Sequence, residues 1–191
     1  VSAVRVGLNN IHAAILVKDD VTGVEYETPF KLAKAIEASI SPNANEETLF
    51  ADDGPSEVAT QMGAIEVELG LDAISDEIQA KLLGHKINSD GVLEKKAGDQ
   101  APYVALLFQS ATSDGKSKLY TLYKGKFKLP ERNHTTKNDS PEFQTDTISA
   151  TFLRRDFDDV WERSVYTGGE TVNQAVVDAW FTEVYEPSTN G

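Results

Sequence analysis

In the run AIEVELGL, Ala64–Leu71, the apolar residues Ile65, Val67 and Leu69 alternate with Glu66 and Glu68. This period of two most constrains the fold. On a helix these apolar residues would scatter around the axis, whereas on a strand they share one face. The run therefore predicts a half-buried strand whose open face is acidic. The same period returns at Lys34–Ile40, where Ala35, Glu37 and Ser39 alternate with Ile36, Ala38 and Ile40. It returns again at Lys118–Pro130, with Leu119, Thr121, Tyr123, Phe127 and Leu129 against Leu122, Lys124, Lys126 and Lys128. APYVALLFQS (Ala101–Ser110) is apolar on both faces and predicts a central strand. Val4–Leu8, His12–Lys18, Asp19–Tyr26 with a Thr22-Gly23 turn, Thr145–Arg155 and Asp159–Tyr166 complete the strand set.

Two short helices interrupt this pattern. Ser75 is placed to cap the first, Asp76 and Glu77 suit its positive end, Ile78 and Leu82 share a face, and Gly84 closes it. Thr171-x-x-Gln174 resembles a capping box, with Val172, Ala175, Val176, Ala179 and Trp180 on the apolar side of the second. Residues 86–101 read as a loop or loose hairpin, and Glu131–Pro141 and the tail 186–191 as polar, irregular chain. No linker or repeat divides the chain, so the expectation is a single mainly β domain spanning residues 1–191. Its simplest form is a β-sandwich or flattened barrel of two packed antiparallel sheets with one or two short helices.

Between two of the alternating strands lies SPNANEETLFADDGPSEV (Ser41–Val58), which holds five carboxylates and no Lys or Arg. It reads as a long loop. Aligning Gly54 with the glycine of a calcium-binding loop puts Leu49 and Ala51 at positions that need side-chain oxygens, and Thr60 where a glutamate belongs. Asp52-Asp53-Gly54 is good turn chemistry without a metal. A catalytic carboxylate pair would need burial to raise one pKa, and so polar a stretch offers none. His12, His85 and His134 lie 73 and 49 residues apart, with no metal-ligand spacing. Nucleophile and nucleotide motifs are absent. No catalytic, metal or cofactor-binding residue is assigned, and no cofactor or enzymatic activity is expected.

Charge narrows the function classes further. The net charge is −13, which opposes binding through phosphate contacts. Residues 37–80 carry eleven acids and no Lys or Arg, residues 81–137 eleven bases against five acids, and residues 138–191 eleven acids against three bases. Such blocks suit faces that meet partners or copies of the same chain, or simply faces that are solvated. The stripe Lys124, Lys126 and Lys128 would meet an anionic partner, or protect a strand from edge-to-edge pairing. There is no cysteine, which suits a reducing compartment. No run reaches bilayer length and no basic leader precedes an apolar stretch, so neither a membrane role nor a secretory signal is expected.

Taken together, APYVALLFQS, YKGKFKLPE, TKNDSPEFQTDTISATF, FADDGPSEV and LLGHKINSDGVL resemble, in order and spacing, the phi13-type major tail proteins of long-tailed bacteriophages. The resemblance runs from about Val4 to Phe152. It implies the phage tail-tube fold and a structural virion protein. Six copies would close into a ring, and rings would stack into a tube around the tape measure protein, between the tail terminator and distal tail proteins. The tube would be assembled in the host bacterial cytoplasm, and the genome would later pass through it unbound. Carboxylates facing such a bore would repel phosphates across a Debye length of about 8–10 Å. Glu37, Glu66 and Glu68 are the lumen candidates on this reading. The acidic loop, with Glu46, Glu47, Phe50, Asp52 and Asp53, becomes an inter-subunit candidate with Phe50 as its apolar anchor. Other ring-forming tail components (terminator, connector or baseplate ring) share this logic. A β-sandwich carbohydrate-binding module, using Tyr120, Tyr123, Phe127 and Trp161, is the alternative from another class, although alternation turns Tyr123 and Phe127 toward the core.

Overall fold

A computed structural model describes residues 5–51, 54–130 and 146–187, with side chains at 5–6, 35 and 44–61 excepted. The strands are β1 (Arg5–Asp20), β2 (Gly23–Tyr26), β3 (Phe30–Lys31), β4 (Ala35–Ala51), β5 (Gly54–Leu71), β6 (Lys86–Ile87), β7 (Leu93–Glu94), β8 (Val104–Thr112), β9 (Ser117–Phe127), β10 (Asp146–Leu153) and β11 (Glu162–Tyr166). The helices are α1 (Asp76–Leu83) and α2 (Gln174–Ala179). The mainly β expectation holds. Nine strands form one antiparallel sheet in the order β2-β1-β8-β9-β10-β5-β4, with β3 paired to β1 and β11 to β9; β6 and β7 make a separate hairpin.

The layering comes from a single sheet that curls over. β9 is shared along its length: Lys118–Leu122 pair with β11, and Lys124–Phe127 with β10. The far edge, β4, comes back to pack against β1 without hydrogen-bonding to it. Matching registers bring Ile40, Val67, Ala150 and Phe127 into one inward-facing row, and Ala38, Leu69 and Ile148 into the next. Gly125 makes room for Phe152, whose ring would lie 2.5 Å from any Cβ there.

Period-two arithmetic explains why β8 is apolar on both sides. Val104, Leu106 and Phe108 enter the main core, while Ala105 and Leu107 point the other way. That second side is covered by the chain around α2, where Trp180, Val176, Val177, Phe181, Val184 and Tyr185 close on Ala14 and Leu119.

α1 is capped as its sequence requires. The Ser75 hydroxyl accepts from the Ile78 N–H at 3.3 Å, and Gly84 takes a left-handed φ of 73°. At α2 the cap differs from expectation. Asn173, rather than Thr171, accepts from the Ala175 N–H at 3.0 Å, and Ala175 faces solvent. The two expected N-terminal strands are one, β1, jointed where Asn10 adopts φ 59° and the register shifts between Asn9 and His12.

Candidate assembly surface

The largest departure from sequence expectation is Ser41–Val58. The expected loop is strand: β4 and β5 pair from Ala44–Met62 through Glu47–Ala59 to Ala51–Gly54, with a register shift between Leu49 and Phe50. Among the described residues, β10 accompanies β5 only between Ile65 and Leu71. Outward of that, among the described residues, the two strands pair solely with each other, as an arm roughly 30 Å long at about 3.3 Å per residue. Glu46, Glu47 and Phe50 are on this arm by backbone, with side chains outside those described, and Asp52 and Asp53 lie outside the described residues altogether. The local polarity of NANEET reads as loop; pairing wins because β5 supplies a partner strand, taken up again after a register shift between Pro42 and Ala44.

The three other acidic candidates do come together. Glu37 lies opposite Gly70, Ser39 opposite Glu68 and Ser41 opposite Glu66, so Glu37, Glu66 and Glu68 share the outward face of β4–β5. That face continues through Ser149 and Thr151 of β10 to Lys126 of β9. It therefore contains cations. Lys128 bonds to Glu66 at 2.9 Å, and Thr151 donates to the same carboxylate at 3.2 Å. The Lys128 hydrogen bond, with Thr151 in support, holds the Glu66 carboxyl below its ordinary range.

The lysine stripe is split by this geometry. Lys124 is buried and lies 2.7 Å from both Asp19 and Asp156. Burial opposes charge on Asp19, but the N–H groups of Asp156 and Phe157 and the Lys124 ammonium hold its carboxyl low. Lys124 is therefore committed to binding the β1–β2 end to the chain after β10. Lys126, over the Tyr103 ring at 4.4 Å, and Lys128 remain at the surface.

A second ionic cluster had no sequence forecast. The fully buried Arg155 guanidinium donates to Asp158 at 3.0 and 2.6 Å and to both oxygens of Glu186, and stacks 4.1 Å from the Tyr123 ring centre. Arg163 reaches Asp158 at 2.8 Å. Burial pushes the Tyr123 phenol up to about 12 and Tyr26 higher still. Tyr26 donates to the Tyr123 carbonyl and Tyr123 to that of Tyr185. Glu186, read from sequence as the start of a frayed tail, is thus an anchor. The only available signal was the spacing of RRDFDDVWER, where Arg155 and Asp158 are three apart.

At the end of the barrel from which the arm leaves, the core opens as a cleft of about 500 Å³. Leu8, Ile40, Pro42, Phe108, Tyr120 and Trp161 line it, with Phe108 and Tyr120 stacked at 4.8 Å. Tyr120 and Phe127 are buried and Trp161 is half-buried, so these aromatics make no flat exposed platform. His85 binds Asp99 at 2.8 Å. Among the described residues, no three acidic or histidine side chains come together in a way that could hold a metal. No described helix is long and apolar enough to cross a membrane.

A curled antiparallel sheet with a polar outer face, a projecting hairpin and an apolar mouth is the frame of a structural β protein. A family model for phage tail tube protein matches residues 37–182, from the first lumen candidate past α2. The chain belongs to the phage tail tube protein family, and so to the structural components of the virion. A comparison with curated proteins gives no match.

Proposed function

We propose that this chain is the major tail tube subunit, closing into hexameric rings that stack into the conduit for the phage genome. The observation that carries the reading is the β4–β5 arm, whose outer half pairs with no other strand among the described residues. A two-stranded hairpin is marginal alone in water, so this length of strand calls for a neighbour to pack on. Heterologous contacts of that kind generate closed rings or open stacks.

On this reading the arm crosses to an adjacent subunit with Phe50 as its anchor, and Glu46, Glu47, Asp52 and Asp53 lie at that contact. The face bearing Glu37, Glu66 and Glu68 lines the bore, and Lys126 and Lys128 border it. The tape measure protein fills the tube during assembly in the host cytoplasm, with terminator and distal tail proteins closing its ends.

Negative-stain microscopy of the purified protein tests this directly. Concentration-dependent rings or tubes are expected, and Phe50→Ala should abolish or weaken them while the monomer stays folded by circular dichroism. Normal tubes from Phe50→Ala would remove the anchor role. A wild-type protein that stays monomeric at high concentration and binds glycans would replace the tube reading with the carbohydrate-binding one.

A further inference from the structure

The mouth of the barrel presents an apolar hollow at the surface of a strongly acidic chain. Ala38, Ile40 and Pro42, at the base of the arm, form one wall, and the paired strands run outward from there. Burying such a lining against apolar atoms is favourable at about 25 cal/mol per Å², so the hollow is suited to an apolar occupant.

Charge indicates which occupant. Lys118 lines the mouth, Lys31 and Lys34 line the adjoining hollow that shares Leu8, and Lys116 lines a third that shares Asn10 and Gln109 with the second. None of these four lysines makes an ion pair among the described residues. Of the acids nearby, Glu162 lines the mouth itself, and Asp114 is already occupied by Thr112 and Tyr166. A lysine-collared apolar hollow fits an acidic segment with an apolar centre. The end of the arm has that composition: Leu49 and Phe50 stand among Glu46, Glu47, Asp52, Asp53 and Glu57, without a single Lys or Arg.

We propose that the mouth of one copy receives the β4–β5 hairpin end of the next, with Phe50 in the hollow bordered by Leu8, Phe108 and Trp161 and the arm carboxylates against Lys31, Lys34, Lys116 and Lys118. The contact joins two different patches, so it propagates from copy to copy. It rests on the tube reading above and names the surface that reading leaves open.

The natural absence of cysteine makes the test clean. Chains carrying Thr48→Cys together with Ser110→Cys, which keep Phe50 and all four lysines, are assembled and then oxidised; a ladder of disulfide-linked multimers on non-reducing gels is expected. In protein with native residues at both positions, the emission of Trp161, obtained by difference against Trp161→Phe, should shift to the blue on assembly. It should stay unshifted when Lys31, Lys34, Lys116 and Lys118 are all changed to Glu, and return when Glu46 and Glu47 are also changed to Lys. Tubes that form with no cross-link and no Trp161 shift overturn the mouth contact alone, leaving the tube reading intact. Wild-type protein that forms no higher assembly overturns both.

Discussion

Removing Glu186 probes whether the C-terminal segment is latched or merely adjacent. Its carboxylate accepts from both terminal nitrogens of Arg155, which is 0% exposed, while Glu186 itself keeps 32% of its side chain in solvent. With Asp158 and Arg163 the cluster balances two positive and two negative groups. Glu186→Ala leaves a buried guanidinium with one carboxylate shared between two arginines. Breaking a buried pair costs about 3–5 kcal/mol. Partial exposure of Glu186 screens the interaction, so about 2–3 kcal/mol is the expected loss. For a domain of this length each kcal/mol moves the thermal midpoint by about 2–4 °C, giving a fall of roughly 4–12 °C by circular dichroism. Glu186→Gln keeps the shape and removes the charge, isolating the electrostatic part. In both variants the emission of the buried Trp180 should move to the red before global unfolding, because Tyr185 stacks on it at 5.5 Å and leaves with its neighbour. A Glu186→Ala variant within about 0.5 kcal/mol of wild type would refute the latch. So would a difference that vanishes in about 0.5 M salt, since screening acts on exposed pairs.

Gly84→Ala should cost at least about 1–2 kcal/mol from the left-handed backbone alone, with more from a Cβ 2.1 Å from the Gln100 carbonyl oxygen; urea titration measures it. Folding raises the Tyr123 phenol from 10.0 to about 12, so its contribution is whole below pH 10 and is lost as pH rises toward 12; alkaline melts should show this, and Tyr123→Phe should flatten it. Asp19 and Asp158 are depressed and Asp114 falls to about 2, so their contributions are whole above the ordinary 3.8 and are lost as pH falls toward 2, an acid limb that Asp19→Asn should reduce. Glu66→Lys with Glu68→Lys should allow assembly and slow DNA ejection; unchanged infectivity would count against that face lining the bore.

Local pattern and long-range placement were legible to different degrees. Alternation in AIEVELGL and the double-sided apolarity of β8 predict their strands because burial on a pleated sheet acts residue by residue. Ser75 and Gly84 predict the ends of α1 for the same local reason. The arm was illegible because polar NANEET gains its strand conformation from a partner strand that local composition does not report. Ile36 shows how one bulge defeats simple counting. It shares the parity of Ala38 and Ile40, yet the register shift between Ala35 and Glu37 leaves it 58% exposed. The ion clusters join residues as far apart as Asp19 and Asp156, a separation no periodicity reports.

The charge blocks make the same point with a functional consequence. Along the chain, the acid-only block and the lysine-rich block are separate, and a bore lined by the first alone would repel phosphate everywhere. In the sheet, β10 brings the two blocks side by side, and Lys128 bonds to Glu66 while Lys126 sits one strand further along the same face. An exposed pair of this kind contributes at most about 1 kcal/mol to stability, so its effect falls mainly on the field above the face. Glu66 and Lys128 together present a dipole there, leaving Glu37 and Glu68 as the carboxylates of this face without an ion-pair partner among the described residues. If six such faces surround the genome, repulsion comes chiefly from Glu37 and Glu68, with lysines close enough to offset it. Such a surface neither holds phosphate nor excludes it strongly, which suits a strand that must first enter the tube and then slide through it.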